Sequence, residues 1–191
     1  MTRLLPVRTQ GDILPPWRDT PIAELLRFHN LGESLQSYTS AGLVIGMCMD
    51  NRKNLRLPDN FAYVLRAGGA NFRRAEFKLS FAIAVGGARA IALIGHDQCG
   101  MVGLHSRRVE FVNGLVSRAG WDRDDAELHF EQWAPFFEIG DAAAFVAAEA
   151  ERLQRRYPTV PVAALMYLME DGLLHQVAPG RSGEHRGGVA G

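Results

Sequence analysis

The chain has little cysteine: two residues in 191, Cys48 and Cys99. Two thiols 51 positions apart, with no Cys-x-x-Cys, exclude a disulfide scaffold and a dithiol redox motif. Excess charge of either sign is also lacking. Lys and Arg total 21, Asp and Glu total 21, and the formal net charge is zero. No overall field therefore draws the chain to nucleic acid or to an anionic membrane, and the expectation is neither partner. No apolar run approaches the length of a membrane span. Met1-Thr2-Arg3-Leu4-Leu5-Pro6 has no apolar signal-peptide core and no small-residue cleavage site, so the expected location is the cytoplasm. Internal repeats and a linker to a second domain are missing as well.

What remains is an ordinary globular composition, 47% hydrophobic and 22% charged, long enough to bury a core. The expectation is one domain over residues 1–177, with an N-terminal arm and helix over 1–40. The glycine-rich polar stretch 178–191 is expected to be a disordered tail. Pro6, Pro15 and Pro16 make the first 19 residues irregular, and an apolar arm of this kind lies on its own domain or on a partner subunit. Thr20-Pro21 reads as a helix start, with the helix running from Ile22 to about Tyr38, Leu25, Leu26, Phe28, Leu31 and Leu35 on or near one face, and Gly32 as a place where it can break.

Strands are expected over Leu43–Met47, Phe61–Leu65, Ala90–Ile94, Val160–Leu168 and Gly172–Val177. Helices are expected over Glu76–Val85, after Cys99, and over Ala142–Tyr157, with residues 107–141 mixed and helix-prone. Alternating strands and helices predict an α/β fold: a central, mostly parallel sheet of four to five strands flanked by helices, with an N-terminal helical arm.

The two cysteines acquire meaning from their places. Cys48-Met49-Asp50-Asn51-Arg52 follows one apolar run, and His96-Asp97-Gln98-Cys99 follows another. Ligand sites of open α/β sheets gather at the carboxyl ends of strands. Two thiols and one imidazole there form a known ligand set of catalytic Zn²⁺, so Cys48, His96 and Cys99 are the candidate metal ligands. Two thiolates neutralise the zinc charge, which makes help from neighbouring groups more valuable. Asp50 has two possible places. It can bind the metal and close the site, or it can pair with Arg52 and accept a hydrogen bond from zinc-bound hydroxide. Asp50 and Arg52 are thus the candidate catalytic residues.

Plainer readings compete with each residue alone. A lone cysteine is more often an inert core thiol, and Asp-x-Arg is more often a surface ion pair. A structural zinc site would want a fourth Cys or His nearby. The combination at strand ends favours the catalytic reading.

These motifs resemble those of the β-class carbonic anhydrases, whose signatures are Cys-x-Asp-x-Arg and His-x-x-Cys. The resemblance runs from about Leu43 to Gly103, and more weakly from Ala142 to Val177. It implies a zinc enzyme that interconverts CO₂ and bicarbonate through zinc-bound hydroxide, on a parallel sheet, as a homodimer or homotetramer. Relatives on the same fold hydrolyse carbonyl sulfide or carbon disulfide, and a zinc site alone does not discriminate between these small linear substrates. A non-catalytic, zinc-stabilised oligomer is a further alternative.

Departures from the family pattern fall on the pocket. Asn51 stands where the family usually has Ser, and Arg66-Ala67-Gly68-Gly69 where it usually has Arg-Asn-Ala-Gly. Residues 107–141 match no family motif. Gly68 and Gly69 are the candidate substrate contacts, through their backbone amides. Phe61, Phe72, Phe77 and Met101 are candidate lining residues, with core packing the plainer role. His105, His129 and His29 are candidate proton relays, with a surface or core role plainer for all three.

Overall fold

The structure is a computed structural model that describes residues 2–34 and 36–178. The stretch expected as a tail falls, after Ala178, outside the described residues. Six strands form one sheet: β1 (Leu4–Leu5), β2 (Leu43–Met47), β3 (Ala62–Arg66), β4 (Ala90–His96), β5 (Val162–Tyr167) and β6 (Leu174–Val177). Their order is β1-β6-β5-β4-β2-β3. β3, β2, β4 and β5 run parallel, while β6 and β1 are antiparallel to their neighbours.

The α/β architecture is as expected, with one strand more. The additional strand is β1, whose Leu4 and Leu5 pair with Val177 and Gln176. Two residues are too few to show a period of two, so the arm reads as irregular in sequence. The arm lies on its own domain. Leu14 N donates to Gln176 Oε1 (2.8 Å), and Gln176 Nε2 donates to the Asp12 carbonyl (2.8 Å).

β2, β4 and β5 are buried at every position. Their continuous apolar runs are what a parallel sheet covered on both faces requires. One core layer joins Leu43, Ile45, Phe61 and Ile94 to Phe28 and Leu25 of helix α1 (Pro21–His29). The other joins Val44, Phe72 and Leu93 to Leu79 of α2 (Glu76–Ala84) and to Val146 and Leu153 of α5 (Ala142–Arg156). Gly46 is required where β2 meets this second layer. A Cβ there would stand 2.7 Å from Phe72 Cε2 and 2.8 Å from Leu93 Cδ2.

Two helical expectations are corrected. α1 starts as expected, with Thr20 Oγ1 accepting from Ile22 N and Pro21 in the first turn, but it ends at His29 rather than near Tyr38. Asn30 spends its side chain outside the helix, donating to the Leu174 and Val7 carbonyls and accepting from Leu174 N. Gly32 then turns the chain at φ +68°. Leu35 lies outside the described residues.

The second correction follows Cys99, where no helix starts directly. Gln98 and Gly103 are both left-handed (φ +53° and +62°), and Val102 forms a parallel bridge with Ile139. Helix resumes only with a 3-10 turn at Leu104–Arg107 and α3 (Arg108–Ala119). Gly120 and the Asp122 cap reverse the chain into α4 (Arg123–Phe137). The unassigned segment is therefore a helical hairpin, tied across by Arg108 to Glu127 (2.8 Å) and Glu131 (2.9 Å). No helix among the described residues is long and apolar enough to cross a membrane.

Candidate metal centre

The chain leaves β2 to β3 on one side of that strand and returns to β4 on the other. The strand order thus reverses at β2, and the crevice beyond the carboxyl ends of β2 and β4 is where such a fold holds a ligand. Cys48 is the first residue past β2, and His96 is the last of β4. Cys99 comes back beside them because Gln98 takes a left-handed conformation. The ligand atoms of Cys48, His96 and Cys99 lie within 4.8 Å of one another, and all three residues are buried. The structure thus brings together the three residues expected as ligands.

The donor set fits a metal ion. The sulfurs stand 3.8 Å apart, far beyond the roughly 2.05 Å of a disulfide. That separation equals the ~3.8 Å edge of a tetrahedron with zinc–sulfur distances near 2.3 Å. His96 Nδ1 lies 2.6 Å from the Asp97 carbonyl, which only accepts, so Nδ1 carries the proton. Nε2 is left as a lone pair, and it is buried with no hydrogen-bond partner. An imidazole oriented this way through its other nitrogen is arranged as metal ligands usually are.

The two thiols titrate as a pair. The contact with Cys99 lowers Cys48, against the effect of burial, and the amides of Asp50 and Gly69 add to the lowering. The same contact, with burial, holds the proton on Cys99. In this chain the Gly69 amide, one of the two expected at the substrate, faces the Cys48 sulfur.

Asp50 stands outside the ligand cluster, clamped by Arg52. Arg52 Nη2 lies 2.7 Å from Oδ2, Nε lies 3.1 Å from each oxygen, and the Arg52 backbone N donates to Oδ1. The Arg52 side chain, before any other influence, holds the Asp50 carboxyl well below the ordinary carboxylate range. Arg52 is itself tied to the other ligand loop, donating from Nη2 to the Gln98 carbonyl (3.1 Å). Arg66 completes the brace from β3, with Nη1 3.2 Å from the Cys48 and Asp50 carbonyls. Lys53 is buried, and its Nζ lies 3.9 Å from Asp50 Oδ1. Burial pushes its ammonium down, while the charges of Cys48 and Asp50 oppose that.

An apolar wall stands beside the sulfurs. Ile139 is buried against Cys48 and Cys99, with Met101 and Phe145 packed on them. The Ile139 amide donates to the Met101 carbonyl (3.0 Å). Ile139 comes from the segment whose sequence matched no motif. A single isoleucine after a helix carries no local signal, and only the bridge to Val102 brings it here. Gln98 and Lys53 sit in or beside the motifs, but their parts, a carbonyl that holds Arg52 and a buried ammonium near Asp50, are set by tertiary contacts and burial and not by residue type.

A groove of about 1820 Å³ opens beside the cluster between Asp97, Val102, Asp141 and Ala144. His96 and Cys99 line it, whereas Cys48, Asp50 and Arg52 do not. Of the expected lining residues, Met101 reaches the site, and it packs over Gly68, where a Cβ would meet its Sδ at 3.1 Å. Phe61 and Phe72 belong to the two core layers, and Phe77 is 79% exposed. The histidines are occupied elsewhere. His105 pairs with Glu138, His129 stacks among Phe111, Trp121 and Trp133, and His29 bridges Gly172 and Arg56.

No protein-family model matches the chain, and no curated protein does. Solved structures do. The chain is similar to a β-carbonic anhydrase, isoform I, of Trichomonas vaginalis, with 17% identity, a TM-score of 0.61, and coverage of 78% of this chain and 90% of that one. A carbonic anhydrase of Glaciozyma antarctica gives 23% identity and 0.59, covering 87% and 96%. A carbon disulfide hydrolase in its apo form gives 16% identity and 0.53, covering 80% and 88%. Over most of its length the chain therefore has the fold that β-carbonic anhydrases share with a carbon disulfide hydrolase, and it carries a buried Cys-His-Cys cluster fit for a metal ion.

Proposed function

We propose that the chain is a zinc lyase that reversibly hydrates CO₂ to bicarbonate and a proton. The observation that carries this reading is the buried lone pair of His96 Nε2, unpartnered beside two sulfurs 3.8 Å apart, with a clamped carboxylate next to them. Cys48, His96 and Cys99 would hold the metal. When bound, zinc lowers the pKa of a coordinated water toward neutrality, which is the chemistry that hydration of CO₂ needs.

The chain's own residues supply the rest. Asp50, kept ionised by Arg52, accepts a hydrogen bond from the nucleophile and aims its lone pair at the substrate carbon. Arg52 fixes Asp50 through a fork of two donors, a geometry that a point charge does not reproduce. Gln98 holds Arg52 to the loop that carries Cys99. Ile139, Met101 and Phe145 present an apolar wall suited to a small linear molecule. Of the two glycine amides, that of Gly68 is left for the substrate, since that of Gly69 is turned to the Cys48 sulfur.

Hydrolysis of carbonyl sulfide or carbon disulfide by the same residues is the second reading, favoured by that apolar wall. A purely structural zinc site has no use for the Asp50–Arg52 clamp, which counts against a non-catalytic role. We also propose a homodimer or homotetramer. Val64 on the edge strand β3, Phe77 and Phe81 on α2, and Val85 just past the end of α2 are exposed apolar side chains that a second copy would cover.

Stopped-flow CO₂ hydration by the zinc-loaded protein tests the first reading, with sulfide release from carbonyl sulfide measured on the same preparation. Turnover of CO₂ well above buffer is expected. High sulfide release with negligible CO₂ turnover would replace the first reading by the second, and inactivity toward CO₂, carbonyl sulfide and carbon disulfide, the last assayed in the same way, would sink both.

A further inference from the structure

Lys53 is the charged group beside the candidate metal centre that hydration chemistry leaves unused. Lysine ordinarily runs its charge out to water along a flexible stem. This one does not: its side chain is 0% exposed, and Nζ has no hydrogen-bond partner. Among the described residues the one carboxylate within 4.0 Å is Asp50, whose Oδ1 lies 3.9 Å away, too far for a hydrogen bond. The neighbouring cation Arg66 is already engaged by the Cys48 and Asp50 carbonyls.

We propose that Lys53 is a positioning residue: its buried charge, acting with Arg52, holds the Asp50 carboxylate in the clamp and off the fourth position of a metal bound by Cys48, His96 and Cys99. That position then stays open to solvent and to small anions. The inference rests on reading the cluster as a metal centre.

The two cations act on Asp50 in different media. The Arg52 side chain is 49% exposed, so solvent screens much of its pull on the carboxylate. Lys53 is sealed from water, and a charge in that medium acts with little screening. The charges of Cys48 and Cys99 also face this ammonium, but a divalent metal would neutralise them, so a carboxylate that left its place for the metal would leave the buried ammonium poorly compensated, which is costly. Because Nζ is closed to solvent, a diffusing anion does not reach it. Its influence on what binds at the centre therefore runs through Asp50.

The test uses cobalt(II) as the metal probe and thiocyanate as the anion probe. Lys53→Met keeps the apolar stem and removes the charge. Wild type and the variant should each take one cobalt with sulfur-to-metal charge-transfer absorption, which shows the triad intact. Thiocyanate should shift the visible bands of wild type. Its affinity should fall at least about tenfold in Lys53→Met, the order of effect expected of a group that orients a metal site. Adding Asp50→Ala to Lys53→Met should restore it, and Lys53→Arg should keep much of it. Equal thiocyanate affinity in wild type and Lys53→Met overturns the proposal. So does a Lys53→Met protein that takes no cobalt, or a double variant that fails to recover. Failure of wild type itself to bind cobalt removes the metal centre, and with it the reading on which the proposal stands.

Discussion

Arg52 grips Asp50 from two positions along the chain, with Nη2 2.7 Å from one carboxylate oxygen and Nε 3.1 Å from both, while the same guanidinium reaches the Gln98 carbonyl on the other ligand loop. This pair links the segment after β2 to the segment after β4. It makes the aim of a carboxylate depend on the relative position of two strands.

Loss of the fork should therefore disable the chemistry and spare the metal. Arg52→Ala is expected to lower kcat for CO₂ hydration by about 10²-fold or more, the range of a positioned proton-accepting group, with zinc content unchanged. Arg52→Lys should recover little of this, because an ammonium does not offer two parallel donors. Stopped-flow rates alongside zinc analysis check both. A fully active Arg52→Ala would remove the clamp from the mechanism.

His96→Ala takes away the buried lone pair and should reduce zinc affinity by more than the roughly 100-fold typical of losing a group that merely orients a ligand. Chelation of wild type should lower its Tm, since metal bound to the native state alone adds to stability. The His96→Ala protein should show no such chelator-dependent change. Zinc titration and thermal scans with and without chelator read these outcomes.

Stability should depend on pH through His29. Burial, the largest influence, lowers its pKa below the ordinary 6.5. Nδ1 accepts from Arg56 N (3.0 Å), so Nε2–H donates to the Gly172 carbonyl (2.9 Å), and the neutral ring is satisfied on both sides. The unfolded chain takes up a proton more readily than the native one. The contribution of His29 is thus complete above pH 6.5 and is lost as pH falls from 6.5 toward the lowered native value. His29→Gln should remove that part of the slope. Urea unfolding of both proteins at pH 7.5 and 5.5 measures the difference, and parallel slopes would contradict it.

Ile139→Ala should destabilise the fold by about 2–5 kcal/mol, nearer the lower end because its cluster is small, and should loosen the loop at Met101. Denaturant unfolding checks the first effect. Zinc affinity, expected to fall, checks the second. A surface position would give less than about 0.5 kcal/mol.

Much of this centre was legible along the chain because each motif is short. Cys48, Asp50 and Arg52 lie within five consecutive positions, and His96 and Cys99 within four, so local geometry fixes most of each half. The strands were legible for a similar reason. A fully buried parallel strand is a continuous apolar run, and β2 starts and ends at the expected residues. β1 was not legible, since its two residues become a strand only by pairing with Val177 and Gln176. The end of α1 was hidden because the side chain of Asn30, the helix C-cap, is held by Leu174, 144 positions away.

By itself the sequence determined which atoms meet at the centre: two sulfurs, an imidazole and a carboxylate with its arginine, each delivered by a strand end within a few residues. Tertiary structure decided what surrounds them. It placed Ile139 from the far helical hairpin against the sulfurs, turned His96 so that only Nε2 is left to bind, and sealed Lys53 beneath Asp50. The physical reason is range. Ligand identity is carried by neighbours in sequence, whereas dielectric, apolar lining and countercharge come from whatever chain the fold packs on top.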